Sequence, residues 1–185
     1  MATFNLLAPN VMIDLETVST FFDAGIISIG AVKFDYTGIL DKFYVNVSLK
    51  SIKEFGLHVD PKTLKWWAEQ KPGAIEALFK KSVSLPEALE RFNDWYGEKS
   101  LPTFSNGCDF DQVIMRTSFR AVGSKERWDY WDGNCYRTLK NLLDGDKSLT
   151  PPVNEDAHNA LADAEWQALH TINMWKAWAG EIEQV

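Results

Sequence analysis

The stretch GIISIGAVKF, residues 25–34, constrains the fold more than any other part of the chain. It is rich in Ile and Val and carries no charge before Lys33. That is the signature of a central strand buried on both faces, which needs a neighbour at each edge and cover above and below. Both neighbours are at hand. NVMIDLE (10–16) is an apolar run ending in acids and reads as a strand. KFYVNVS (42–48) alternates apolar and polar, as a third strand does. The short links between them favour an antiparallel meander.

The middle of the chain has helical spacing. DPKTLKWWAEQ (60–70) offers Asp60 as N-cap with Pro61 at the first helical position. Pro72-Gly73 breaks it, and GAIEALFKK follows. LPEALERFNDWYG (85–97) places Leu85, Leu89, Phe92 and Trp95 on one face, and Gly97 stops it. A short strand, LPTFS (101–105), leads into DFDQVIMRTSFRAVG, where Phe110, Val113, Ile114 and Ala121 suggest an apolar face. RWDYWDGN is the candidate fifth strand, with a helix after it from Tyr136 to Leu143. DGDKSLTPPVNED (144–156) has the composition of a loop. A final helix is expected from about Ala157 to Glu181, with Ala160, Leu161, Ala164, Ala168, Leu169, Ile172 and Trp175 inward. Strands first, helices around them and a long closing helix make an α/β fold.

At 185 residues the chain has the size of a single domain (1–185), able to bury roughly 70% of its unfolded surface. Its 45% hydrophobic and 24% charged residues are ordinary for a globular protein. Cys108 and Cys135 lack metal-ligand spacing and suggest a reducing compartment, with one disulfide left open. MATFNLLAPN has no basic region of a signal peptide, and no apolar run is long enough to span a bilayer. The expectation is a cytoplasmic protein without a membrane partner. The net charge of −7 argues against a broadly basic nucleic-acid surface, although an acidic pocket for cations contributes to it.

Asp14 and Glu16, two apart on a strand, project from the same face. Paired carboxylates suit hard cations such as Mg²⁺ and Mn²⁺, although acids also gather where a strand meets solvent. In SNGCDFDQVI, Asp111 stands at a helix start, where an acid is also favoured by the helix dipole. Asp109 competes with it for the same role. In HNALADA (158–164), His158 and Asp163 are five positions apart, about 140° around a regular helix. They converge only if His158 sits at or before the first turn, with Asn154, Glu155 and Asp156 as cap candidates. Ala160, Ala162 and Ala164 make a slim surface on which that helix can approach a strand. Neither His58 nor His170 has a zinc partner set, and both read as ordinary surface or loop residues.

Taken together, DLET, NGCDFD and the H-x-A-x-x-D of HNALADA resemble the three motifs of the DEDDh branch of the DnaQ-like, RNase H-fold 3′→5′ exonucleases. IISIGAVKFD resembles that family's second strand, and the likeness runs over nearly the whole chain. NGxxFD, LKWW…Q and YRTL are similar to a branch holding a bacterial exoribonuclease of adenylate-rich tails and phage-type exonucleases. Ser105 and Cys135 depart from the branch's pattern, the second just ahead of Arg137. The resemblance implies an RNase H-like mixed five-stranded sheet, three antiparallel strands then parallel ones, flanked by helices. It implies metal ligation by Asp14, Glu16 and Asp163, with Asp111 completing the set, and His158 as general base. Thr17, Ile29, Asn106 and Phe110 are the implied substrate contacts.

Such a set suits phosphodiester hydrolysis. Two divalent ions about 4 Å apart can activate water and steady the leaving oxygen, while an imidazole titrating near neutrality takes the proton. Without cations, two carboxylates about 4 Å apart repel by about 4 kcal/mol at an effective dielectric near 20. The expected substrate is the 3′ end of a single strand, DNA or RNA, released as nucleoside 5′-monophosphates. An internally cutting RNase H-fold nuclease would not need His158. A non-catalytic binding domain would not need all five side chains, and an interaction module would leave them unexplained. Trp66 and Trp67 point about 100° apart on a helix. Trp66 is the stacking candidate for a base, and a subunit interface in a homodimer is the alternative use of such tryptophans.

Overall fold

The computed structural model describes residues 7–70, 81–143, 149–156 and 158–180. Five strands form one sheet in the order β3-β2-β1-β4-β5. They are β1 (Asn10–Thr17), β2 (Ile26–Asp35), β3 (Gly38–Asn46), β4 (Thr103–Ser105) and β5 (Gly133–Cys135). The first three are antiparallel, and β4 and β5 run parallel to β1. This is the expected mixed sheet.

GIISIGAVKF lies where its composition demands, between β1 and β3, with Ile26 through Val32 buried. Alternation along β1 sends its side chains to two different cores. Val11, Ile13 and Leu15 enter a cluster with Leu89, Phe92, Ile114, Met115 and Phe119. These come from α3 (Leu85–Tyr96) and α4 (Asp111–Ala121). Met12 enters the opposite cluster with Val32, Phe34, Ala164, Ala168, Ile172 and Trp175. Its cover is α6 (Ala160–Trp178), assisted by α5 (Tyr136–Leu143). Asp14 and Glu16 continue the Met12 side of the strand beyond the apolar contact.

Two shorter helices, α1 (Leu49–Glu54) and α2 (Pro61–Glu69), follow the meander. The α2 start is as expected: Pro61 is the first helical residue and the Asp60 carboxylate accepts from Lys62 N–H at 2.8 Å. Gly97 closes α3 at φ 94°. The helix expected at GAIEALFKK and its Pro72-Gly73 break fall outside the described residues except for Lys81, as do 144–148 of the expected loop.

Several boundaries differ from the sequence expectation. The third strand starts at Gly38, because Asp35 accepts from both Thr37 N–H (2.7 Å) and Thr37 Oγ1 (2.6 Å) and turns the chain early. The fifth strand does not cover RWDYWDGN. Tyr130–Asp132 form a 3-10 turn, and only Gly133–Cys135 pair with β4. On α4 the inward set is Ile114, Met115, Ser118 and Phe119, while Ala121 is exposed. On α6, Leu169 faces solvent and His170 is fully buried, bonded to Tyr136 Oη at 2.8 Å. His170 is therefore a core residue, and its polar ring is what hid it. Trp175 is in the core, whereas Trp178 is 71% exposed. Cys108 and Cys135 are free thiols. Among the described residues no helix is long and apolar enough to cross a membrane.

Candidate active site

The site forms where β1 runs past the start of α6. Asp14 pairs with Gly30 across the sheet and Glu16 with Ser28, so the neighbouring strand offers small side chains beside both acids. A Cβ built on Gly30 would lie 2.1 Å from the carbonyl carbon of Ala160 and 2.2 Å from Leu161 N. The first turn of α6 thus rests directly on the β2 backbone, and only glycine permits that approach. Ala160 and Ala164 are buried at this contact.

The cap geometry of α6 positions the third acid. Asn159 is the N-cap, its side-chain oxygen accepting from Leu161 N–H (3.1 Å) and Ala162 N–H (3.4 Å). The cap is not one of Asn154, Glu155 or Asp156. Asn154 instead donates from Nδ2 to Asp163 Oδ1 at 2.7 Å. His158 precedes the cap with φ 68° and donates its backbone N–H to Asp163 Oδ2 at 3.0 Å. That left-handed residue is how two positions 140° apart on a regular helix come to share one site.

Asp14, Glu16 and Asp163 each present a carboxylate oxygen within 4.8 Å of the others. Asp111, the first residue of α4, accepts from Leu15 N–H at 3.2 Å through Oδ1, which holds it against β1. Asp109, the other candidate of the second motif, is exposed, whereas Asp111 is buried against β1. Gln167 Nε2 donates to Asp14 Oδ1 at 2.8 Å.

Electrostatics mark the cluster as short of positive charge. Burial, with repulsion from Asp111 and Glu16, raises the Asp14 carboxyl well above its usual range. Burial, with Asp163 and Asp111, pushes Glu16 up to about 8. Asp111 is pushed up to about 7, mainly by burial, while backbone N–H groups and Arg137 oppose the rise. Asp163 is also raised by burial, against the bonds from His158 and Asn154. Converging, half-dry carboxylates fit hard divalent cations in donor chemistry and in charge.

Two cavities meet at Glu16. One, of about 490 Å³, is lined by Leu15, Thr17, Phe110, Trp66 and Trp67. The other, of about 560 Å³, is lined by Asp14, Asp163, His158, Asn106, Arg137 and Lys140. Trp67 is buried and donates Nε1–H to Thr17 O at 2.9 Å, fixing α2 to the end of β1. Trp66 is 39% exposed and meets the His158 ring edge to face, with centroids 5.0 Å apart. The expected substrate residues Thr17, Phe110, Asn106 and Trp66 therefore all border the acids. Ile29 does not. It is fully buried among β1 and helix residues of the core and lines neither cavity. Gln167 and Lys140 are absent from the sequence expectation, and Asn154 enters it only as a cap candidate. Gln167 stands four residues after Asp163, one helical turn on, and that spacing was the available signal.

Solved structures share this fold. Escherichia coli exonuclease I in complex with a dT13 oligonucleotide matches with TM-score 0.67 at 12% identity over 91% of this chain. The chain spans only 41% of the exonuclease I length. The nuclease domain of 3′hExo, a DEDDh family member bound to rAMP, matches with TM-score 0.60 at 13% identity, covering 95% of this chain and 94% of that one. Exonuclease X in complex with 5′ overhanging duplex DNA matches with TM-score 0.59 at 17% identity, over 92% and 93%. No curated protein sequence matches the chain. The family model of the Rv2179c-like 3′-5′ exoribonuclease domain matches residues 9–175, almost the whole of the folded unit, and the chain belongs to that family.

Proposed function

We propose that the protein is a 3′→5′ exonuclease that releases nucleoside 5′-monophosphates from single-stranded ends, with RNA as the favoured substrate. The observation that carries this is the meeting of Asp14, Glu16 and Asp163 within 4.8 Å, with Asp111 behind them and the His158 ring at the rim. Mg²⁺ or Mn²⁺ held there would neutralise charge at the phosphate and make an attacking water more acidic.

The residues divide the remaining work. Asp14, Glu16 and Asp163 are the ligand set, and Asp111 adds charge from the β1 side. The hydrogen bonds from Gln167, Asn154 and the His158 backbone orient the carboxylates before any cation arrives. That orientation reduces the reorganisation left for the reaction. His158 is exposed on the cavity edge, where its imidazole accepts the proton that the attacking water gives up. Trp66 limits its swing from one side. The cavity bearing Phe110, Thr17 and Trp66 takes the terminal nucleoside, its aromatic surface matching a base that is no longer stacked on a duplex.

RNA is favoured because the family is an exoribonuclease family, whereas exonuclease I and exonuclease X were solved with DNA. The test is digestion of 5′-labelled single-stranded RNA and DNA with Mg²⁺ or Mn²⁺. A ladder shortening from the 3′ end, faster on RNA, is expected. A first product cut internally would overturn the assignment.

A further inference from the structure

The acid site has a basic wall that the ligand set does not use. Arg137 and Lys140 stand three apart on α5 and line the acidic cavity together with Asn106. Side chains at that spacing on a helix are neighbours, with Cβ atoms about 5–6 Å apart, comparable to successive phosphates of a single strand. Arg137 is held in place. Its Nη2 donates to Asn106 O at 2.7 Å and its Nε to Asn106 Oδ1 at 3.4 Å. Gly107, at φ 114°, leaves room for it, since a Cβ there would lie 3.3 Å from Nη2. These bonds use two of five guanidinium N–H donors and leave three for an anion. Neither side chain forms an ion pair among the described residues.

The two cavities differ in kind. The one with Trp66, Phe110 and Leu15 offers aromatic faces to a nucleoside, with Thr17, Thr63 and Lys62 among its polar lining. The one with Arg137 and Lys140 lies on the other side of Glu16 and is suited to backbone phosphates. Arg137 already offsets some of the negative charge at Asp111, and its unused donors, with the Lys140 ammonium beside them, remain open to a phosphate.

We propose that Arg137 and Lys140 form a subsite for the phosphates upstream of the scissile bond, so that the single strand leaves the acids over the start of α5. This rests on the exonuclease reading and assigns the strand's path within it. A strand with several phosphates uses the subsite, and a substrate whose only phosphate is the scissile one cannot.

The test compares a ten-residue RNA with an RNA dinucleotide that lacks a 5′-phosphate. Hydrolysis of each by the native protein, Arg137→Ala, Lys140→Ala and the double variant is followed over a salt series. Lys50→Ala, on α1 and outside both cavities, controls for net charge. For the double variant, the rise in KM on the ten-residue strand should exceed that on the dinucleotide by about tenfold or more, as for lost hydrogen bonds to charged groups. The slope of log KM against log salt on the long strand should fall by about 0.7 for each cation removed. Equal losses on both substrates would overturn the subsite and make Arg137 a support for the Asn106 turn and Asp111. An unchanged salt slope would overturn it as well. A native protein that shortens neither substrate would remove the exonuclease reading itself, a result distinct from either of these.

Discussion

At the scale of single residues, Asp14 has two lives. In the proposed function it is one ligand of a cation shared by the cluster, and without a cation it is crowded by Asp111, Glu16 and Asp163. Asp14→Asn keeps the shape and removes the charge. Its exonuclease rate should fall by more than the roughly 10–100-fold that losing an outer hydrogen-bond partner costs at a metal site. The metal-free variant should melt at or above the native temperature, because repulsion from Asp111, Glu16 and Asp163 is relieved. Gln167→Ala, which deletes only the partner of Asp14, should stay inside the 10–100-fold range. Measured rates and melting curves of the two variants separate ligation from orientation, and an active Asp14→Asn protein would remove Asp14 from the mechanism. The chemistry was legible in the sequence at this scale because the acids and the histidine carry it by their identity. Burial is less legible at this scale: Ile29, an implied substrate contact, is completely buried in the central strand.

At the scale of elements, the sheet order and the faces of β1 follow from hydrophobic patterning, and GIISIGAVKF was readable as the central strand. The short parallel strands were harder. β4 and β5 pair over three residues each, too few for periodicity to register. The aromatic run before β5 looked like a strand while forming a turn. Gln112 joins these two strands from α4, donating to Thr103 O (3.0 Å) and Asn134 O (2.9 Å), a contact no local pattern announces. The alanines of α6 foreshadow its seat on β2, whereas nothing local to the strand marks Gly30 as the complementary position. Gly30→Ala would set a methyl group against the Ala160 backbone. The expected cost is about 1–3 kcal/mol of stability, as for other overpacked contacts. Since α6 must retreat, Asp163 goes with it, and the variant should lose most of its stabilisation by Mn²⁺ although no ligand has changed. A thermal titration showing native metal response in Gly30→Ala would refute the close-approach account.

For the whole molecule, a cation held as proposed would tie the first strand to α6, because Asp14 and Glu16 come from β1 and Asp163 from α6. Metal that binds only the folded chain stabilises it by mass action, so millimolar Mg²⁺ or Mn²⁺ should raise the melting temperature. The effect should depend on pH. Glu16, with an ordinary value of 4.5, is pushed up to about 8 in the folded protein, and Asp111 is raised to about 7. The folded chain therefore holds protons that the unfolded chain has already released. Stability of the metal-free protein should decline as pH rises between those limits, and the cation-induced shift should be larger at pH 8 than at pH 6. Calorimetry at the two values checks both signs, and a metal shift that is absent or larger at pH 6 would contradict the shared site. The placement of Trp66 edge-on against His158 has a consequence for how the enzyme can be watched. Indole emission is sensitive to whatever stacks on it, so the difference spectrum between the native protein and Trp66→Phe reports on Trp66 together with Trp67, whose ring centroid lies 5.0 Å away. If the cleft takes a nucleotide as proposed, its occupancy should change that emission, and the change can be followed in real time with unlabelled RNA.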